Sequence, residues 1–192
     1  MTAENKSVKQ TYMPSIVTYV TTIIAFIIDQ LTKVMIIYNM PVNVNINNLV
    51  VIPPYPDSYR FLPILWFSHV INPGAAFSTF FGRKYLLIIF ALVISAAIIF
   101  YEIKTSKKRV TTLSLSLGFL LAGAFGNLFD RVRLGYVTDF LDLRWNNHNI
   151  WPIFNVADMS INLGIYLLIF YFFFQESKIK KSDDLEDDQI IK

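Results

Sequence analysis

The stretch Tyr85 to Tyr101, YLLIIFALVISAAIIFY, decides the fold, because it carries no charged residue at all. Three further stretches resemble it. Val110 to Phe129 also has no charge, Val156 to Phe174 carries only Asp158, and Ile16 to Tyr38 carries only Asp29 and Lys33. A bilayer core about 30 Å thick is crossed by roughly 20 apolar residues in a helix. The reading is therefore an all-α membrane protein with four transmembrane helices, at about 16–38, 85–101, 110–129 and 156–174. The 192 residues are 54% hydrophobic with a mean hydropathy of +0.46, far more apolar than a soluble domain. Four buried helices of a soluble protein would leave nothing to bury them. The whole of 1–192 reads as one membrane-embedded domain without internal repeats.

Charge sets the orientation. Lys104, Lys107, Lys108 and Arg109 crowd the link between spans two and three, Lys178, Lys180 and Lys181 follow span four, and Lys6 and Lys9 precede span one. Positive charge stays on the cytoplasmic side, so both termini are expected there. Arg60, Arg83, Lys84, Arg131, Arg133 and Arg144 fall on the other side, spread more thinly. The tail 175–192, with Asp183, Asp184, Glu186, Asp187 and Asp188, reads as a solvated, disordered cytoplasmic end. The first fifteen residues are polar without a cleavage-site pattern, so a removable signal peptide is not expected. With no cysteine the redox compartment stays open.

Two outer segments remain, roughly 39–82 and 130–155. Val42 to Asn47 alternates apolar and polar residues, a strand pattern, and Pro53, Pro54, Pro56 and Asp57 make a turn. Ile64 to Ile71 is a second β-prone run. A small sheet on the membrane surface is expected, joined to span two by Asn72 to Phe77. The second outer segment reads as loop-rich and holds Asp139, with Asp158 near the start of span four.

A carboxylate beside lipid is costly to keep ionised and marks a functional position. Two nearby carboxylates cannot both ionise cheaply. A protonated member can polarise an amide carbonyl while the ionised one takes a proton from water. Asp139 and Asp158 suit that chemistry, without a metal or a cofactor. The plainer alternative makes Asp158 a helix cap and Asp139 a solvated loop acid, and the residues alone leave both open. Asp29 and Lys33, four apart, share a helix face and read as an orienting ion pair. Asp130 and Arg131 follow span three directly; Arg131 is suited to a carboxylate, a lipid phosphate or the membrane interface. Asn127 and Asn155 supply amides beside the acids. Asn72 and Gly74 either present backbone to a peptide or form a tight turn.

Other chemistries lack their parts. Zinc proteolysis needs a His-Glu-x-x-His cluster, whereas His69 and His148 are the only histidines and both read as loop residues. No span contains histidine for a serine–histidine dyad, no glycine-rich phosphate loop is present, and no basic face supports nucleic-acid binding.

In order along the chain stand Asp29-Gln30-Leu31-Thr32-Lys33, Asn72-Pro73-Gly74-Ala75-Ala76-Phe77, Gly126-Asn127-Leu128-Phe129-Asp130-Arg131, Gly135-Tyr136-Val137-Thr138-Asp139-Phe140 and Phe154-Asn155-Val156-Ala157-Asp158. This set resembles lipoprotein signal peptidase, the bacterial type II signal peptidase of the aspartic class, over about residues 16–174. The resemblance implies a four-helix enzyme of the bacterial cell membrane with a small β-cradle and a mobile outer helix over the active site. It implies cleavage of prolipoproteins just before a diacylglyceryl-modified cysteine, with lipidated precursors and membrane lipids as partners and globomycin as an inhibitor. By motif position, the resemblance implies that Asp139 and Asp158 are the catalytic pair. Asn72, Gly74, Asn127, Asp130, Arg131 and Asn155 shape the site, and Asp29 and Lys33 support span one. The first outer segment is longer than the family's pattern, and the acidic tail lies outside it.

Two competing classes have distinct signatures. A proton-coupled transporter or channel would use Asp29, Lys33 and Asp158 as a relay and pass protons in liposomes without cleaving peptide. A membrane scaffold would tolerate Asn at both Asp139 and Asp158.

Overall fold

A computed structural model of the chain describes residues 16–42, 58–74, 83–104, 111–146 and 148–190, with side chains as far as Phe173. Its long helices are α1 (Ile16–Asn39), α2 (Lys84–Lys104), α3 (Thr111–Arg133) and α4 (Val156–Ile190). Each has a stretch long and apolar enough to cross a membrane, so this is a multi-pass membrane protein. The helix α1 is built inside out relative to a soluble one. Its buried residues are Thr18, Thr22, Ala25, Asp29 and Lys33, at helical spacing, while Ile23, Ile24, Ile27, Ile28, Leu31 and Met35 are exposed. Lipid is as apolar as isoleucine, so nothing drives those side chains inward, whereas polar groups must find partners inside the bundle.

The bundle is centred on α3. Of its membrane-length window 56% is buried, against 22% for α1 and 17% each for α2 and α4. It packs against all three other helices and most extensively against α4, while α2 leans on α3 alone among the helix pairs in substantial contact. Small residues allow the close approach. A Cβ on Gly123 would collide with the Ala157 carbonyl oxygen, and one on Gly126 would lie 2.5 Å from Asp29 Oδ2 and 2.9 Å from Ala157 Cβ. Glycine at position 126 thus lets α1 and α4 meet at the surface of α3.

At one end of the bundle lies a four-stranded antiparallel sheet in sequential order, β1 (Tyr59–Arg60), β2 (Leu65–Asn72), β3 (Val137–Trp145) and β4 (His148–Asn149). Gly135, with φ of 85°, ends α3 in the left-handed conformation and turns the chain into β3. The β2–β3 register sets Val70 opposite Asp139 and Asn72 opposite Val137, with an irregularity between Phe67 and Val70. After β4 the chain returns along β3. Phe154 O accepts the N–H groups of Phe140 (3.0 Å) and Leu141 (2.8 Å). That return places the start of α4 beside Asp139.

Several expectations are revised. Asp139 lies on a strand and is 2% exposed, so it is not a solvated loop acid; its backbone is recruited into the ladder with β2. The segment called loop-rich therefore contains two strands, β3 and β4. His69 and His148 are strand residues for the same reason. Asp130 and Arg131 belong to the last turn of α3, which continues to Arg133 before Gly135 ends it. The helix α4 runs on through the acidic tail to Ile190, where disorder was expected; no glycine or proline after Gly164 interrupts its backbone ladder. The alternating run after Val42 and the prolines up to Asp57 lie outside the described residues, as do positions 75–77 of the link to span two. The outer helix that the resemblance implies has no counterpart among the described residues.

Candidate active site

The first turn of α4 is closed by a reciprocal cap. Asn155 Oδ1 accepts the Asp158 N–H at 2.9 Å, and Asp158 Oδ2 accepts the Asn155 N–H at 3.2 Å. Asn155 is the N-cap and Asp158 the third helical residue, so the expected cap is present but Asp158 is its second half. The cap leaves Asp158 Oδ1 free to accept Asn127 Nδ2 at 2.8 Å.

Asp139 is held from two sides. Its Oδ1 accepts Asn155 Nδ2 at 2.6 Å and its Oδ2 accepts Asn72 Nδ2 at 2.8 Å. Asn155 Nδ2 also donates to Asn127 Oδ1 at 3.1 Å. A continuous amide chain therefore joins the two aspartates, with Asn155 touching both. Asn72 also closes the tight turn that was one of its two alternatives, its Oδ1 accepting the Gly74 N–H at 3.0 Å.

Beneath this chain lies a buried ionic cluster. Lys33 Nζ is 2.9 Å from Asp29 Oδ2, 3.0 Å from Asp130 Oδ2 and 3.2 Å from Asn127 Oδ1. Asp29 Oδ1 accepts the Ala157 N–H at 2.8 Å, satisfying a donor that the helix itself cannot. Asp130 Oδ2 accepts the Thr138 N–H at 3.3 Å. Arg131 donates through Nη2 to Gly74 O at 2.8 Å, which ties α3 to the end of β2. Its Nε is buried and has no partner among the described residues. All ten residues singled out in the sequence thus belong to one connected cluster.

The two acids differ in environment. Asp139 is buried while Asp158 is partly accessible. Loss of solvent, reinforced by the nearby Asp158 charge, pushes the Asp139 carboxyl up to about 8. The amides of Asn72 and Asn155 and the charge of Lys33 oppose that rise without cancelling it. Burial thus favours the protonated form of Asp139.

Sequence reasoning passed over four members. Gln30 Nε2 donates to Asp29 Oδ2 (3.0 Å) and Asp130 Oδ1 (3.2 Å), and its signal was an amide inside an apolar span. Gly126 is needed for the close packing above. Ala157 and Thr138 act through backbone N–H groups, for which side-chain identity gives no signal.

Fold and site together define a multi-pass membrane protein with a buried acid and amide cluster where its helices meet a small sheet. The family model described as Signal peptidase (SPase) II matches residues 21–174. A lipoprotein signal peptidase of Halothermothrix orenii is 37% identical over 158 residues, covering 82% of this chain and 96% of that protein. One from Listeria monocytogenes is 36% identical over 163 residues, covering 84% and 96%. A solved structure described as a bacterial membrane enzyme, obtained by the in meso method at 2.3 Å resolution, superposes with a TM-score of 0.71 at 28% identity, covering 84% of this chain and 90% of that one. The chain belongs to the signal peptidase II family, the lipoprotein signal peptidases, and is a protease.

Proposed function

We propose that the chain is an aspartic endopeptidase in which Asp139 and Asp158 share the acid and base roles. The observation that carries this reading is the amide of Asn155, which hydrogen-bonds Asp139 while the same residue caps the helix end bearing Asp158. Asp158, the more accessible acid, acts as the base and takes a proton from water. The hydroxide attacks the scissile carbonyl carbon as Asp139 gives its proton to the carbonyl oxygen. The resulting diol collapses: Asp139 recovers its proton, Asp158 protonates the leaving nitrogen, and the carbon–nitrogen bond breaks.

The substrate in this reading is a prolipoprotein whose diacylglyceryl-modified cysteine lies just after the cut bond. The exposed apolar helix faces suit its acyl chains. The sheet then faces the outside of the bacterial cell membrane and both termini the cytoplasm, in line with the lysine-rich links. Globomycin-type cyclic peptides are expected to compete for the site. Mass spectrometry of a lipidated precursor incubated with the purified protein tests this. A product beginning at the lipidated cysteine, absent when the precursor is not lipidated, is expected. Cleavage elsewhere, or equal cleavage of both precursors, contradicts it.

A further inference from the structure

Lys33 sits at a fork. Its ammonium contacts Asp29 and Asp130, and all three side chains are at most 1% exposed. Asp29 accepts the backbone N–H of Ala157, the residue immediately before Asp158. Asp130 accepts the backbone N–H of Thr138, the residue immediately before Asp139. Each carboxylate at the fork therefore grips the chain one residue ahead of one member of the acid pair. The same ammonium donates to Asn127 Oδ1, whose Nδ2 is thereby turned toward Asp158, because an ammonium can only donate.

We propose that Lys33 is a positioning residue for the peptidase reaction, the centre of a clamp that fixes the separation of Asp139 and Asp158. The inference rests on the aspartic reading above. Stability alone does not explain the cluster. A buried ion triad is often no better for stability than well-packed apolar residues, because desolvation consumes the attraction. What an apolar replacement cannot do is hold two backbone points, on β3 and α4, at one distance from a single centre on α1.

Among the described residues, the charged groups around the pair of Asp139 and Asp158 are Asp29 and Lys33 from α1 and Asp130 and Arg131 from α3. Removing the Lys33 charge makes the first ionisation of the pair harder, and letting the acids separate weakens their sharing of one proton, which acts in the same direction. The acid limb of the pH–rate profile must then move up.

The test is cleavage of a lipidated precursor by the purified full chain across pH. Lys33→Met is expected to lower kcat about 100-fold, as misplacement by about 1 Å does, and to raise the acid limb by about one pH unit. Lys33→Arg should keep the wild-type limb. Asp29→Asn, which removes a negative charge, should lower it. If Lys33→Met does not accumulate, the double variant Lys33→Met with Asp29→Asn keeps the cluster's net charge; its limb should stay near wild type while kcat still falls. Wild-type limb and kcat in Lys33→Met, or wild-type kcat in the double variant, overturns the clamp. Activity persisting in Asp139→Asn or Asp158→Asn overturns the aspartic reading instead, so the two failures are distinguishable.

Discussion

Asn155 Nδ2 lies 2.6 Å from Asp139 Oδ1, and Asn155 is at the same time the N-cap of the helix that carries Asp158. One side chain thus spends its donor on one acid and its acceptor on the turn holding the other. Asn155→Ala should lower kcat about 100-fold or more, as a small misplacement does. Loss of the cap itself should cost only about 1 kcal/mol of stability. Thermal unfolding alongside turnover separates the two. A large fall in stability with normal kcat would make Asn155 a cap and nothing more.

The raised Asp139 carboxyl links stability to pH. In the unfolded chain it titrates near 3.8 and in the fold near 8, so between these values the folded state binds more protons. Stability then falls as pH rises from about 4 to 8 and levels off above. Asp139→Asn removes this penalty. Its stability advantage over wild type should be absent at pH 3, grow through that window and reach about a few kcal/mol at pH 8. The wild-type kcat should fall above about pH 8 as Asp139 loses the proton it must donate.

At Gly126 of α3, side chains of both α1 and α4 pack against the helix, through Asp29 and Ala157. A methyl group there would lie 2.5 Å from Asp29 Oδ2 and 2.9 Å from Ala157 Cβ, so Gly126→Ala must displace the Asp29 carboxylate and crowd α4. Overpacking of this kind costs about 1–3 kcal/mol. Because Asp29 also grips the Ala157 N–H, activity should fall further than stability alone accounts for. Turnover measured well below the variant's melting temperature checks this.

Arg131 reaches Gly74 O with Nη2 at 2.8 Å and Asn127 O with Nη1 at 3.3 Å, so its two arms join the end of β2 to α3. A lysine has no such fork. Arg131→Lys should therefore raise KM for the lipidated precursor by about tenfold, the effect of one lost charged hydrogen bond, with a smaller effect on kcat. Steady-state kinetics in detergent micelles separate the two terms.

The spans were legible because lipid imposes one plain requirement, length without charge, and Tyr85 to Tyr101 meets it. That Asn127 and Asn155 lie beside the acids was legible for a related reason, since polar side chains in apolar stretches must meet each other, whereas Asp29 and Lys33 read only as an ion pair of their own. What the sequence hid was backbone. Asp139 read as a loop residue because Gly135 and the Asn146–Asn149 run suggest turns, while the strand between them is stabilised by pairing with distant β2. The roles of Ala157 and Thr138 depend on N–H groups that every non-proline residue has. The tail was read from its charge, yet no glycine or proline after Gly164 interrupts α4 before Ile190.

The central claim is that two acids, and no other group, perform the hydrolysis. Asp139→Asn and Asp158→Asn keep the size of each side chain and much of its hydrogen bonding, so both variants should insert and fold. The decisive measurement is the single-turnover rate of cleavage of a diacylglyceryl-modified precursor by each purified variant. The account predicts a loss of about 10³-fold or more in both, given that each acid transfers a proton in the rate-limiting chemistry. Cleavage near the wild-type rate by either variant would contradict it.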